Sequence, residues 1–205
     1  MTAQHQPQVQ ELLAALPAVT QAQLRALHDQ LADSADARGL LDVAYRTIDT
    51  PVGTLLLAAT GKGLVRVAYD TEGHEKVLAT LAARLSPRIL NAPRRLDAAA
   101  REIEEYFAGL RRAFDLPLDF SLSTGFRRTV LSHLSDIAYG HTASYAAVAT
   151  AAGSPGAVRA VGTACATNPL PVVVPCHRVV RSDGSFGGYL GGPAAKQALL
   201  ALEAA

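Results

Sequence analysis

The sequence predicts an α+β protein of two domains with a helical extension in front. Three observations predict it. Residues 1–40 repeat leucine at helical spacing, residues 41–70 alternate as short strands between glycine turns, and from residue 124 the apolar spacing is helical again. The 205 residues are 49% apolar and 18% charged, which suffices for a sizeable core and excludes a disordered chain. The expected division is a helical extension at 1–40, an α+β domain at 41–120 and a third part at 121–205.

The extension comes first. Val9, Leu12, Leu13 and Leu16 fall on one helical face until Pro17 interrupts, and Leu24, Leu27 and Leu31 repeat the pattern in a second helix. Ala32–Arg38 and Gly39 read as a linker. A helical hairpin packed on the body, or on a partner, is the simplest expectation. The period then changes to that of strands. Val43–Ile48, Thr54–Ala59 and Leu64–Tyr69 form an antiparallel meander whose turns are Pro51-Val52-Gly53 and Gly61-Lys62-Gly63. Helices are expected near 72–86 and 95–109, the second with Ile103, Tyr106 and Phe107 on one face. Asp115–Ser121, which contains Pro117, is an extended connection. No cluster of catalytic residue types falls in this half, which reads as a supporting domain.

In the third part, Phe126, Val130, Leu134 and Ile137 line a helix that ends before Gly140. Ser144 is placed to cap a helix running to about Ala152. Gly153-Ser154-Pro155-Gly156 breaks it, and a second helix runs from Ala157 to about Thr167. Two short helices joined by such a turn fit a helix-turn-helix, although an ordinary helical hairpin is commoner. Val172–Val180 reads as a short buried strand that turns sharply and delivers a thiol. Gly184–Gly192 is a glycine-rich loop, and Lys196–Glu203 is a closing helix with Leu199, Leu200 and Leu202 as its apolar residues.

Charge and cysteine usage narrow the function classes. The formal net charge is +1, but residues 121–205 carry six basic side chains against three acidic ones, a mild positive bias that suits phosphates. Cys165 and Cys176 make no disulfide framework and stand in no zinc-ligand spacing. The polar opening MTAQHQPQVQ has no apolar core of a signal peptide, and no apolar run reaches the ~18 residues of a membrane span. A cytoplasmic protein with free thiols is expected.

The chemistry centres on Pro175-Cys176-His177-Arg178. A thiol beside an imidazole and an arginine can be held as a thiolate, the form that attacks carbon. A cysteine in a valine-rich run is by itself more often an inert core thiol, so the partners elsewhere decide. Ser144-Tyr145, Arg159-Ala160-Val161-Gly162, Asn168-Pro169, Pro175-Cys176-His177-Arg178-Val179, Gly187-Gly188-Tyr189 and Glu203 occur in this order. The set resembles the O6-alkylguanine-DNA alkyltransferases, also called methylated-DNA–protein-cysteine S-methyltransferases. The resemblance runs from about Phe126 to Glu203. The first domain resembles the family's ribonuclease-H-like domain in its order of elements. Residues 1–40 match no part of it.

The resemblance implies a single-turnover reaction on duplex DNA. An alkylated guanine is flipped out, and its O6 alkyl group passes irreversibly to Cys176; O4-alkylthymine is a second candidate substrate. His177 takes the thiol proton, through a water, and Glu203 orients the imidazole. Tyr145 donates a proton to the departing guanine oxygen, because neutral guanine leaves more readily than its anion. Asn168 braces the turn and the thiol. The carbonyls of Val174 and Val179 accept from the guanine amine, Tyr189 walls the alkyl pocket and Leu190 follows it where some relatives have serine. Ser144 opens the first helix of the motif. Arg159 on the second helix inserts through the minor groove into the space of the flipped base, offsetting an extrusion that costs a few kcal/mol. Ala157, Ala160 and Gly162 around it are small enough for a narrow groove. The implied partner is double-stranded DNA bearing O6-alkylguanine, bound by a monomer with cooperativity left open. No cofactor and no metal are expected; some relatives bind zinc through cysteines and histidines in the first domain, where this chain has no cysteine.

Two other classes fit parts of the pattern. Alkyltransferase-like sensors bind alkylguanine DNA and recruit other factors, but they lack the cysteine. Cys–His hydrolases use a nucleophile and base far apart in sequence, whereas Cys176 and His177 are adjacent. Cys165 reads as a packed thiol, and Tyr106 and Tyr139 as core or rim.

Overall fold

A computed structural model describes residues 19–204. Its first helix, α1 (Gln21–Ala37), starts at a capping box in which the Thr20 hydroxyl accepts from the Gln23 amide and the Gln23 side chain accepts from Thr20. The helix runs straight through the stretch read as a linker, because Ala32–Ala37 holds no breaker and alanine is the best helix former. Its leucines do not pack on the body. Leu24, Leu27 and Leu31 are 49%, 61% and 56% exposed, while Ala32 and Ala35 face inward. The contact is otherwise polar: His28 donates to the Asn91 carbonyl, and Asp33 and Asp36 pair with Arg94 and Arg95. The expected first helix of a hairpin, Val9–Leu16, lies outside the described residues.

The meander forms as expected, with β1 (Val43–Thr50), β2 (Gly53–Thr60) and β3 (Gly63–Tyr69) antiparallel in register. After α2 (His74–Arg84), a fourth strand, β4 (Ile89–Asn91), pairs parallel with the outer edge of β1, giving the order β3-β2-β1-β4. A strand of three residues, in the five that separate Pro87 from Pro93, is too short to show a period, so it is silent in the sequence. Beyond α3 (Asp97–Phe107), the connection lies beside the start of β3 through Leu64 N–H to Pro117 O and Asp119 N–H to Leu64 O, both 2.8 Å. Gly63 is obligatory there: its φ is 136° and a Cβ would stand 2.1 Å from the Pro117 oxygen.

The sheet buries both faces. Val43, Leu56, Ala58, Val65 and Ala68 pack under Val77 and Leu81 of α2. The alternate residues Ala44, Leu55, Leu57, Val67 and Tyr69 face α3 and continue without a break into the core of the second half. That continuity lets residues of the first half reach the thiol.

The second half contains α4 (Gly125–Leu134), the two-residue strand β5 (Ala143–Ser144), α5 (Tyr145–Ala151) and α6 (Val158–Ala166). The Ser144 hydroxyl caps α5 by accepting from Ala147 N–H at 3.1 Å. Gly153, at φ 74°, turns the chain into α6. The buried run ahead of the thiol is not a strand. Prolines 169, 171 and 175 remove three ladder donors, so the valines are buried in a turn, with Val172 at φ 73°. A β-branched residue there costs about 1–3 kcal/mol, and its persistence shows how tightly the surroundings fix the turn. Cys176–Arg178 is one 3-10 turn, followed by β6 (Val179–Val180) and α7 (Gly192–Glu203). Parallel pairing of β6 with β5 sets Ser144 opposite Val180 and brings Tyr145 toward the thiol.

Candidate active site

Cys176 is 2% exposed and lies at the N-terminus of the 3-10 turn, where its own amide is drawn back to the Val174 carbonyl at 2.8 Å. Asn168, wholly buried, spends its side chain on holding this turn. Its amide donates to the Val174 carbonyl at 2.8 Å and to the Cys176 sulfur at 3.2 Å, and its oxygen accepts from Leu170 N–H at 3.0 Å. A neutral donor on sulfur favours the thiolate, yet burial outweighs it and pushes the thiol up to about 11. Burial therefore favours the thiol in the free protein near neutral pH, and the neighbouring imidazole and guanidinium do not offset it.

The reason lies in where those two neighbours point. Arg178 turns away from the sulfur and donates through Nε and Nη2 to both oxygens of Glu203, at 2.9 and 3.0 Å, and through Nη1 to the Ile137 carbonyl. His177 donates from Nε2 to Glu203 Oε1 at 2.8 Å, which fixes its tautomer and leaves Nδ1 as a bare acceptor. Nδ1 is buried and has no partner among the described residues. Burial holds the imidazole below its ordinary value despite the carboxylate, so it is neutral and able to take a proton. Glu203 also accepts from the Tyr106 hydroxyl at 2.6 Å and from Gly140 N–H at 3.3 Å. With these donors its carboxyl falls to about 2.

The positive charge near the sulfur comes instead from Lys196. Its ammonium is buried and donates to the Val179 carbonyl at 2.6 Å, and its field favours the thiolates of Cys176 and Cys165. Cys165 is 4% exposed and burial raises it to about 12, the state of an inert packed thiol. The Val174 carbonyl thus accepts from two donors of the protein, the Asn168 amide and the Cys176 N–H, while the Val179 carbonyl accepts from Lys196.

Around this centre the other expected residues take separate places. Tyr145 is half-buried and burial raises its phenol, so it remains a donor at neutral pH. Its hydroxyl abuts Gly187, where a Cβ would come within 2.1 Å of it. Tyr189 stacks edge-on against His177. Leu190 lines a neighbouring cleft of about 550 Å³ shared with Arg66, Arg127, Asn168 and Pro169. Arg159 and Ala160 lie on the exposed face of α6, opposite Val161, Ala164 and Cys165; Ala157 and Gly162 are half-buried. Among the described residues Arg159 makes no ion pair, and no three His, Cys, Asp or Glu side chains gather as a metal site.

Four residues that touch this network escaped the sequence reading: Tyr69, Tyr106, Arg178 in its true role, and Lys196. Tyr106 had been assigned to core or rim; it is core, and its hydroxyl is what reaches Glu203. The sequence offers one signal for Lys196, a lone cation on an alanine- and leucine-rich helix. For the tyrosines it offers none, because their contacts cross from one half of the chain to the other.

A buried thiol, an oriented imidazole and a helix pair with an exposed arginine fit the class that the resemblance implies, a DNA-directed transferase with a cysteine acceptor. The comparisons with known proteins agree. Residues 43–120 match the family model described as the 6-O-methylguanine DNA methyltransferase ribonuclease-like domain, and residues 125–205 match the DNA binding domain of the same family. A methylated-DNA–protein-cysteine methyltransferase of Mycolicibacterium paratuberculosis is 40% identical over 161 residues, 78% of this chain and 92% of the relative. The constitutive enzyme of Bacillus subtilis is 39% identical, covering 72% of this chain and 86% of its own. Crystal structures of the Mycobacterium tuberculosis O6-methylguanine methyltransferase and of its OGT in complex with DNA superpose with TM-scores of 0.70 and 0.69. They are 39% and 38% identical, and cover 79% and 78% of this chain and 93% and 92% of theirs. The chain belongs to the 6-O-methylguanine DNA methyltransferase family. Among the described residues no helix is long and apolar enough to cross a membrane.

Proposed function

We propose that this protein repairs duplex DNA by moving an alkyl group from O6 of guanine to Cys176, once per molecule. The observation that carries the reading is the line Asn168–Cys176 and His177–Glu203: a thiol held by one donor at 3.2 Å, beside a neutral imidazole whose far nitrogen is fixed at 2.8 Å. As the C–O bond at O6 breaks and the C–S bond forms, the thiol proton passes to His177 Nδ1, through a water, and Tyr145 supplies a proton to the departing oxygen. The imidazolium is stabilised by Glu203. A thioether does not revert, so the reaction stops at one equivalent.

Binding follows from the exposed face of α6. Arg159 enters the minor groove and fills the space of the flipped guanine, while Ala157, Ala160 and Gly162 let the helix approach and Ser144 holds the first helix of the pair. The Val174 and Val179 carbonyls face the guanine amine and accept from it beside the protein donors they already hold, and Tyr189 and Leu190 border the alkyl group. O4-alkylthymine presents a comparable alkoxy carbon and is a second substrate. The protein acts as a monomer in the cytoplasm. Residues 121–205 carry acceptor and DNA contacts, residues 41–120 support them, and residues 1–40 are an extension.

The test is intact mass with peptide mapping after incubation with a duplex carrying O6-methylguanine. One methyl group on Cys176, saturating at one per chain, is expected, and Cys176→Ala should bind the lesion without a mass change. Retained binding without transfer by the wild type would instead identify a sensor, and many turnovers a hydrolase.

A further inference from the structure

We propose that Tyr69, from the ribonuclease-like domain, sets how large an alkyl group Cys176 accepts. This rests on the reading of Tyr189 as the wall of the alkyl pocket. Tyr69 is the last residue of β3 and is 1% exposed. Its hydroxyl meets that of Tyr189 at 3.0 Å, with the two rings edge to face at 5.9 Å. Its ring also lies on the backbone just beyond, where a Cβ on Gly191 would stand 2.5 Å from the ring carbons. Tyr189 is therefore wedged, with His177 on one side at 6.3 Å between centroids and Tyr69 on the other.

The same strand holds the opposite side of the site. Arg66 donates to the Asn168 carbonyl at 3.4 Å, and Val67 N–H donates to the Pro169 carbonyl at 2.8 Å. Asn168 in turn holds the sulfur. The end of β3 is fixed as well, because Glu72 accepts from the Tyr69 amide at 3.0 Å while paired with Arg66. One rigid strand thus ties the thiol to the wall that faces it.

A methyl group needs little room, but a benzyl group needs Tyr189 to swing outward, which breaks its bond to Tyr69. Tyr69→Phe keeps the ring and its packing and removes only that tether. It leaves the Tyr189 hydroxyl without a partner in the closed position, which favours the open one. The effect is specific to bulky substrates, so Tyr69 is a positioning residue that governs selectivity.

The experiment compares single-turnover rates of Cys176 alkylation by duplexes carrying O6-methylguanine or O6-benzylguanine, using the full chain. The benzyl-to-methyl ratio should rise on the order of fivefold in Tyr69→Phe, the effect of one ordinary hydrogen bond. Tyr189→Phe removes the other half of the bond and should shift the ratio similarly, and the double variant should add nothing further. A ratio within twofold of wild type, or parallel loss of both rates, would overturn the proposal while leaving the repair reading intact. A wild-type chain that never takes up methyl on Cys176 would overturn both.

Discussion

Replacing Glu203 by glutamine should strip the site of the charge that organises it. Five donors converge on this carboxylate, from His177, Arg178 twice, Tyr106 and Gly140, at 2.6–3.3 Å. Glu203 is 4% exposed and Arg178 6% exposed, so solvent screens the pair little. Glutamine leaves the guanidinium buried without a counter-ion, a change that costs about 3–5 kcal/mol. The proton equilibrium gives an independent figure. An ordinary glutamate near 4.5 that is held at about 2 in the folded state gains about 3 kcal/mol of folding free energy from its charged form. Because the folded-state value is the lower one, that stability is present above pH 4.5 and is lost as pH falls toward 2. Urea unfolding across pH should therefore show wild type losing about 3 kcal/mol over this window. Glu203→Gln should be less stable by a similar amount at neutral pH and lack that part of the acid limb. Methyl transfer should also slow, since a neutral amide oxygen on His177 Nε2 cannot stabilise the imidazolium as the carboxylate does. A loss under about 1 kcal/mol, or an unchanged acid limb, would refute the argument that this carboxylate is the electrostatic centre of the site.

Other consequences are equally direct. The rate at which free protein reacts with a small thiol reagent should keep rising with pH toward the thiol's value of about 11; a plateau near pH 7 would mean that a thiolate is held after all. Arg159→Ala should slow repair of duplex DNA more than that of a single strand, where no base must be extruded, and equal duplex rates for variant and wild type would sink the insertion argument. Gly187→Ala should displace the Tyr145 hydroxyl, which a Cβ would meet at 2.1 Å, and lower the transfer rate at least ~10-fold with little change in Tm. Gly63→Ala forces a side chain onto the Pro117 carbonyl at a φ of 136° and should cost about 2–3 kcal/mol or more in denaturant unfolding.

The reach of the sequence differs from segment to segment. The meander at 43–69 is legible because each strand has its own alternation and glycine-marked turns, and the two helices after Ser144 because capping and breaking residues are local signals. The run before Cys176 misleads: periodicity registers that the valines are buried, but not that three prolines deny them a ladder. The α1 leucines mislead in the opposite sense, since a helical stripe predicts a helix without saying what covers it.

The sequence alone determined the three-stranded meander, the helix pair and a cysteine with its adjacent imidazole, because each is written in residues close together along the chain. The tertiary structure alone decided the state of that cysteine. Arg178 serves Glu203 and not the sulfur, Lys196 supplies the nearby charge, and burial keeps the thiol protonated. It also brought Tyr106 and Tyr69 to residues 97 and 120 positions away in the chain. A pKa and a pocket wall depend on distance and desolvation in three dimensions, and residue order fixes neither until the two halves have packed into one core.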